Sequence, residues 1–119
     1  MPSEKQRKGA QAEKLAWYYL KGKGYALLER NLRQGHHEID LIVKRDKTLV
    51  FVEVKMRSKV QYGYPEEAVN QAKREALQTA AENYIIQELE EKSSAIRFDI
   101  IAIQKEPGKT RILHIEDAF

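Results

Sequence analysis

The sequence predicts an α/β protein in which a mixed central β-sheet of about five strands is flanked by helices. Apolar residues recur at helical spacing over residues 3–23 and 65–91, whereas strand-like patterns occupy the segments between and after them. The resulting order is helix, strand, hairpin, helix, strand, strand, which is typical of helices packed on a sheet. With 119 residues, the chain is expected to form a single domain over residues 1–119.

The first helix carries an acid in an unusual place. Gly24 stands where a left-handed C-terminal cap belongs, so the helix is expected to end there. Glu13 borders the apolar stripe of this helix instead of facing clear water. It is therefore either a boundary residue paired with a cation such as Lys14 or an acid that faces a functional site. A strand over residues 25–30 follows, with the polar residues 31–37 as a connection or strand extension.

The centre of the chain predicts a β-hairpin. Residues 38–43 and 49–55 alternate with a period of two, and the charged residues 45–48 between them are typical of a turn. If the first and last turn residues face each other, antiparallel pairing sets Asp40 directly opposite Glu53. Opposed side chains have Cβ atoms roughly 4.5–5.5 Å apart, where two like charges are destabilising. Two carboxylates in this position require a compensating partner.

A divalent cation would be such a partner. Mg²⁺ prefers hard oxygen ligands, usually one or two carboxylates together with water and phosphate oxygens. The same register sets Lys55 opposite Glu38, where its ammonium would stabilise a phosphate oxygen or hold an attacking water. The alternative is an exposed ladder of ion pairs, which contributes little to stability. Because Phe51 and other large apolar residues share this face, both interpretations remain open.

The second half of the chain predicts a basic loop, a long helix and two strands. Arg57 and Lys59 in the loop over residues 56–64 are candidates for nucleic-acid backbone contacts, although a solvated loop is the alternative. Lys73 lies near the polar edge of the second helix and is a further candidate phosphate contact.

The last two predicted strands span residues 96–103 and 111–115, and the turn at residues 106–109 joins them. Asp99 lies in the first of these strands, which is strongly apolar. The preferred interpretation of Asp99 is a structural partner for a neighbouring arginine, and a further acid of the site is the alternative.

Composition excludes several classes of protein. There is no cysteine, so neither a disulfide framework nor a thiolate metal site is available. The adjacent His36 and His37 would point to opposite faces of a strand and are not expected to share a zinc ion. No signal peptide or membrane-spanning run is evident, which predicts a cytoplasmic protein without a membrane partner. The net charge of +3 is compatible with a polyanionic partner but does not require one.

Asp40 followed by Glu53-Val54-Lys55 resembles the D…(D/E)-x-K signature of the PD-(D/E)XK nuclease superfamily, which includes restriction endonucleases and archaeal Holliday-junction resolvases. A longer ordered set of residues, within residues 9–119, resembles the YraN-like family of uncharacterised bacterial proteins. This set comprises Glu38-Ile39-Asp40-Leu41-Ile42, Phe51-Val52-Glu53-Val54-Lys55, Gly63, Glu67-Ala68-Val69, Lys73, Arg97-Phe98-Asp99 and Ala118-Phe119.

The resemblance implies a restriction endonuclease-like fold and a metal-dependent endonuclease that acts on DNA in repair or recombination. It implies that Asp40 and Glu53 bind Mg²⁺ or Mn²⁺, that Glu13 and Glu38 extend the acidic group, and that Lys55 orients the attacking water. The cations expected to hold the nucleic-acid backbone are Arg33, Arg57, Lys59 and Lys73. Related resolvases act as dimers, so the resemblance also implies that this protein can form a homodimer.

Two other functions are compatible with the same residues. One is a catalytically inactive nucleic-acid-binding module on a nuclease fold, in which the acids are structural. The other is a protein-interaction domain, which the acidic end of the second helix and the modest net charge favour.

Overall fold

The computed structural model of the protein describes residues 3–34, 37–57, 71–88 and 95–119. These residues form two helices and one five-stranded sheet, and the sheet order follows the chain, β1-β2-β3-β4-β5. The elements are α1 (Glu4–Gly22), β1 (Ala26–Gln34), β2 (His37–Arg45), β3 (Thr48–Arg57), α2 (Gln71–Glu88), β4 (Ala95–Glu106) and β5 (Lys109–Ile115). The predicted mixed α/β sheet is confirmed, because β3 and β4 pair in parallel whereas the other neighbours are antiparallel.

Helix α1 is capped at both ends by its own sequence. The hydroxyl of Ser3 accepts the backbone N–H of Gln6 at 3.1 Å, and the Gln6 side chain accepts the backbone N–H of Ser3 at 2.8 Å. At the other end Gly24 has a φ of 90°, and its N–H donates to the carbonyl of Lys21 at 3.1 Å. The left-handed cap expected at Gly24 is therefore confirmed.

The two helices cover opposite sides of the sheet. Helix α1 packs on a core that includes Leu41, Val43, Val50, Val52, Ile101 and Ile103. Helix α2 packs on a second core that includes Ile39, Ile42, Leu49, Phe51, Leu77 and Tyr84. Because both sides are covered, successive residues of the central strands are buried, and the apolar segments of β2 and β3 are continuous instead of alternating with polar residues. Among the described helices, none is long and apolar enough to span a bilayer.

The predicted hairpin between β2 and β3 is confirmed over most of its length. Arg45 pairs with Thr48 across a turn in which Asp46 has a φ of 55°, and the pairing continues with the expected register to Leu41 and Val52. The first strand extends further than the predicted residues 25–30, because the polar segment that follows continues β1 to Gln34. The β2–β3 hairpin therefore has the register expected from the sequence up to the point where the acids begin.

Asp99 on β4 is a structural residue. Its fully buried carboxylate accepts two hydrogen bonds from Arg97, both 2.8 Å, and the N–H of Asp117 at 3.0 Å, and it lies 2.6 Å from Nε2 of His114. Burial alone would raise the pKa of Asp99, but these hydrogen bonds outweigh it and hold the pKa below its usual value. The preferred interpretation of Asp99 as the partner of a neighbouring arginine is confirmed.

The structure describes only part of the second half of the chain. The second helix predicted over residues 65–91 is confirmed over α2 (Gln71–Glu88). Residues 58–70, which hold most of the basic loop and the predicted start of the helix, and residues 89–94 lie outside the described residues. The predicted last two strands and the turn between them are confirmed as β4, β5 and a turn at Pro107 and Gly108, where Gly108 has a φ of 77°.

Candidate metal centre

The candidate site lies where β2 and β3 separate. The pairing of these strands ends at Leu41 and Val52, and the carboxylate of Asp40 accepts the backbone N–H of Val54 at 2.8 Å. The alternation of β2 also changes here, because Ile39 and Ile42 are three residues apart yet both pack in the core under α2. The expected direct opposition of Asp40 and Glu53 is therefore corrected, since the Asp40 carboxylate reaches across to the backbone of β3.

Three carboxylates from two elements meet at this point. Oxygen atoms of Glu13 on α1 and of Glu38 and Asp40 on β2 all lie within 4.8 Å of one another. Two oxygen ligands of one ion are separated by at most about 4.2 Å for Mg²⁺ and about 5.2 Å for Ca²⁺. The group therefore fits a hard divalent cation after small side-chain adjustments, and its all-oxygen composition suits Mg²⁺, Mn²⁺ or Ca²⁺. Glu13, expected at the border of the apolar stripe of α1, is half-buried and lies beside the acids of β2.

The electrostatics of Glu13 reflect this crowding. Its burial, followed by the charge of Glu38 and to a smaller extent that of Glu53, raises the pKa of Glu13 above its usual value. A hydrogen bond from Asn31 and the charge of Arg30 act in the opposite direction. Protonation of one acid or binding of a cation would relieve the mutual repulsion in this group.

Glu53 and Lys55 lie beside the three carboxylates on β3. Glu53 is 5% exposed, and its Oε1 lies 3.2 Å from Nζ of Lys55, whose side chain is 27% exposed. Glu53 is not part of the group with mutually close oxygens, but its charge acts on Glu13. The expected register that sets Glu38 opposite Lys55 is not observed, because the described pairing of β2 with β3 ends at Leu41 and Val52. Glu38 lies 3.6 Å from Arg33, its partner on β1.

A cleft of about 550 Å³ opens next to the acids. Its polar wall contains Glu38, Asp40 and Glu53, and its other wall is the surface of α2. The small residues Ala72 and Ala76 on α2 leave room between the helix and the sheet. A phosphate-sized group therefore has space beside the carboxylates that line the cleft.

The predicted nucleic-acid contacts are only partly described. Arg33 has a side chain that is 73% exposed and stands beside Glu38 at the edge of the sheet. The side chains of Arg57 and Lys73 and the whole of Lys59 lie outside the described residues.

Asn31, which contacts Glu13 and Glu38, was not among the site residues predicted from the sequence. Its φ of 52° is one that asparagine tolerates better than most residues, and this tolerance is the one available sequence signal.

Together, the fold and the site define an α/β protein with an acidic cleft where two neighbouring strands of a mixed sheet separate. The chain belongs to the uncharacterised protein family UPF0102, whose family model matches residues 12–103. This membership confirms the resemblance to the YraN-like family.

Proteins of the same family from distant bacteria cover nearly the whole chain. A UPF0102 protein of Alkaliphilus oremlandii is 42% identical over 112 residues, which cover 93% of this chain and 96% of the relative. A relative in Chloroherpeton thalassium is 41% identical and covers 93% of this chain and 92% of its own length. A relative in Nitrosococcus oceani is 36% identical over 118 residues, which cover 99% of this chain and 95% of the relative.

One solved structure shows a more distant similarity. Pyrococcus furiosus SfsA in complex with Ca²⁺ matches with a TM-score of 0.38 and 16% sequence identity. The match covers 92% of this chain, which spans 63% of the SfsA chain.

Proposed function

We propose that the protein is a metal-dependent endonuclease of the PD-(D/E)XK type, which hydrolyses phosphodiester bonds in DNA during repair or recombination. The observation that carries this proposal is the convergence of the carboxylates of Glu13, Glu38 and Asp40. Glu38 and Asp40 line a cleft together with the buried Glu53, which pairs with Lys55. A phosphodiester is an anion, so the acids alone would repel it. Phosphate binding at this position therefore requires a cation held between the acids and the substrate.

The residues that would hold Mg²⁺ or Mn²⁺ are Glu13, Glu38 and Asp40, with Glu53 alongside. Bound there, the metal would supply Lewis-acid polarisation of the scissile phosphate. The Val54 N–H fixes one oxygen of Asp40 and so orients the carboxylate towards the group.

Lys55 is the residue we assign to the attacking water. Its ammonium has three donors, of which one is directed to Glu53, so others remain for a water or a phosphate oxygen. Glu53 is nearly fully buried and lines the cleft, so its ion pair holds the lysine at a defined place next to it. Arg33, which is largely exposed beside Glu38, is positioned to contact the DNA backbone.

Calorimetric titration of Mn²⁺ into the metal-free protein, followed by incubation with branched and linear DNA, tests the proposal. We expect the wild type to bind Mn²⁺ and to nick DNA only when the metal is present, and Asp40→Asn to lose both properties. Asp46→Asn is the matched control, because Asp46 lies in the exposed turn at the far end of the same hairpin. Equal Mn²⁺ affinity in the wild type and Asp40→Asn would contradict the assignment.

A nucleic-acid-binding module without catalysis is the second candidate. The ion pairs of Glu53 with Lys55 and of Glu38 with Arg33 favour it, because they show that the protein itself supplies cations to these acids. This function predicts DNA binding that weakens with salt, no uptake of Mn²⁺, and no cleavage. The same titration and incubation therefore separate the two candidates.

A further inference from the structure

Asn31 occupies an unusual position on the edge strand β1. The register between β1 and β2 shifts between Leu27 and Glu29, which is the signature of a β-bulge. After the shift, Arg30 pairs with Leu41 and Leu32 with Ile39, so Asn31 lies beside Asp40. Its φ of 52° is left-handed, although it stands within a strand. The bulge and the left-handed residue together bring a side-chain amide to the acidic cluster.

The amide of Asn31 bridges two acids that come from different elements. With its nitrogen facing the acids, the amide lies 2.5 Å from Oε1 and 2.8 Å from Oε2 of Glu13, and it donates to Oε1 of Glu38 at 2.9 Å. The reverse orientation would place the amide oxygen against carboxylate oxygens, which cannot donate when ionised. The two N–H bonds of one amide thus connect α1 to β2 at the cluster.

We propose that Asn31 is a positioning residue of the metal centre, whose amide holds the Glu13 and Glu38 carboxylates in the arrangement that binds a divalent cation. An ionised carboxylate offers about four acceptor positions, so one hydrogen bond from the amide leaves others for an ion. The amide also opposes the repulsion that would otherwise drive the side chains of these acids apart. Asn31 acts through the carboxylates and does not itself need to touch the metal or the substrate.

The backbone of Asn31 determines which variants test this role. Glycine adopts a positive φ without strain, so Asn31→Gly removes the amide and keeps the backbone. Asn31→Asp keeps the shape of the side chain, tolerates a left-handed backbone and replaces two donors by a negative charge. Asp46→Gly is the matched control, because Asp46 has a φ of 55° in the hairpin turn away from the cluster.

The first experiment measures Mn²⁺ affinity by calorimetry for the wild type, Asn31→Gly and Asp46→Gly. This arm rests on the proposed function, since it requires the wild type to bind the metal. Loss of a residue that orients metal ligands typically costs about 10–100-fold in affinity, and we expect this loss in Asn31→Gly alone. An affinity within about threefold of the wild type would overturn the role of Asn31 and leave the proposed endonuclease standing.

The second experiment needs no metal and compares melting temperatures in the presence of a chelator. We expect Asn31→Asp to melt below Asn31→Gly, because it adds a fourth carboxylate to the group. Adding Glu13→Gln to Asn31→Asp should recover this loss, because a glutamine amide then donates to the new aspartate. If the wild type binds no Mn²⁺, the proposed metal centre fails and this recovery alone supports Asn31 as the residue that holds the acids. If the melting-temperature changes of Asn31→Asp and Glu13→Gln simply add in the double variant, the role of Asn31 in holding the acids would be overturned.

Discussion

Asp40 has two roles that its substitutions should separate. Its carboxylate accepts the partly buried N–H of Val54 at 2.8 Å, and it also lies among the mutually repelling carboxylates of Glu13 and Glu38. Asparagine retains an oxygen that accepts the Val54 N–H and removes the charge. Alanine removes both the charge and the acceptor. We therefore expect Asp40→Asn to be close to the wild type in stability, and Asp40→Ala to be clearly less stable.

The magnitude follows from the hydrogen bond. A buried donor left without its acceptor costs about 1–3 kcal/mol, and the partial burial of the Val54 N–H places the cost for Asp40→Ala at about 1–2 kcal/mol. For a chain of 119 residues, 1 kcal/mol corresponds to about 4 °C in melting temperature. The expected loss is therefore about 4–8 °C for Asp40→Ala. In Asp40→Asn the hydrogen bond from the Val54 N–H becomes weaker, which lowers stability, and the repulsion from Glu13 and Glu38 is relieved, which raises it. We expect these two effects on stability nearly to cancel.

Denaturant unfolding in a chelating buffer measures these differences. Trp17 is the single tryptophan and packs against the core beneath α1, so its fluorescence should report unfolding. Both variants are compared with the wild type at neutral pH. An Asp40→Asn variant as unstable as Asp40→Ala would refute the reasoning, because it would show that the charge itself stabilises the metal-free protein.

Three other predictions concern single side chains. Asp99→Asn removes the buried carboxylate that pairs with Arg97 and leaves only the exposed, more distant Glu116 as an acid beside the guanidinium among the described residues, so it should cost about 3–5 kcal/mol at neutral pH by denaturant unfolding. Folding lowers the pKa of Asp99. The difference in unfolding free energy between the wild type and Asp99→Asn should therefore be largest above about pH 5 and should shrink as the pH falls below about 4. Lys55→Ala should reduce kcat for DNA cleavage while Mn²⁺ affinity changes little, and equal losses of both would make Lys55 a structural partner of the acids. Arg33→Ala should reduce the slope of log K against log salt for DNA binding by about 1, whereas Arg111→Ala, an equally exposed change on β5, should not.

Local patterns predicted the framework of the fold well. The cap at Gly24 and the turn around Asp46 depend on backbone angles that few residues adopt, and such residues are visible in a sequence. Asp99 could be interpreted as structural because Arg97 lies two residues away on the same strand face, and the structure shows the two in contact.

The details of the candidate site were less predictable. Alternation in β2 suggested that the strand stays regular through Asp40, but pairing with β3 ends one residue earlier. Such a separation depends on packing against both helices, which a period-two pattern does not contain. The role of Asn31 depends on a β-bulge in another strand, and no residue type in the sequence marks that bulge. Glu13 was identified by its position at the border of an apolar stripe, whereas its distance to the acids of β2 needed the tertiary structure.

The parallel pairing of β3 and β4 has a consequence for the order of folding. The turn between β2 and β3 is short, so contacts across that hairpin close only a small loop. Thr48 pairs with Ala95, and this contact must close a much longer segment of chain. Glu13, Glu38 and Asp40 precede the segment that this contact closes, and Glu53 lies near its start. Helix α2, the opposite wall of the cleft, lies in the middle of that segment. The carboxylates can therefore be gathered by the first half of the chain, and the enclosure that shapes access to them depends on the slower, long-range step.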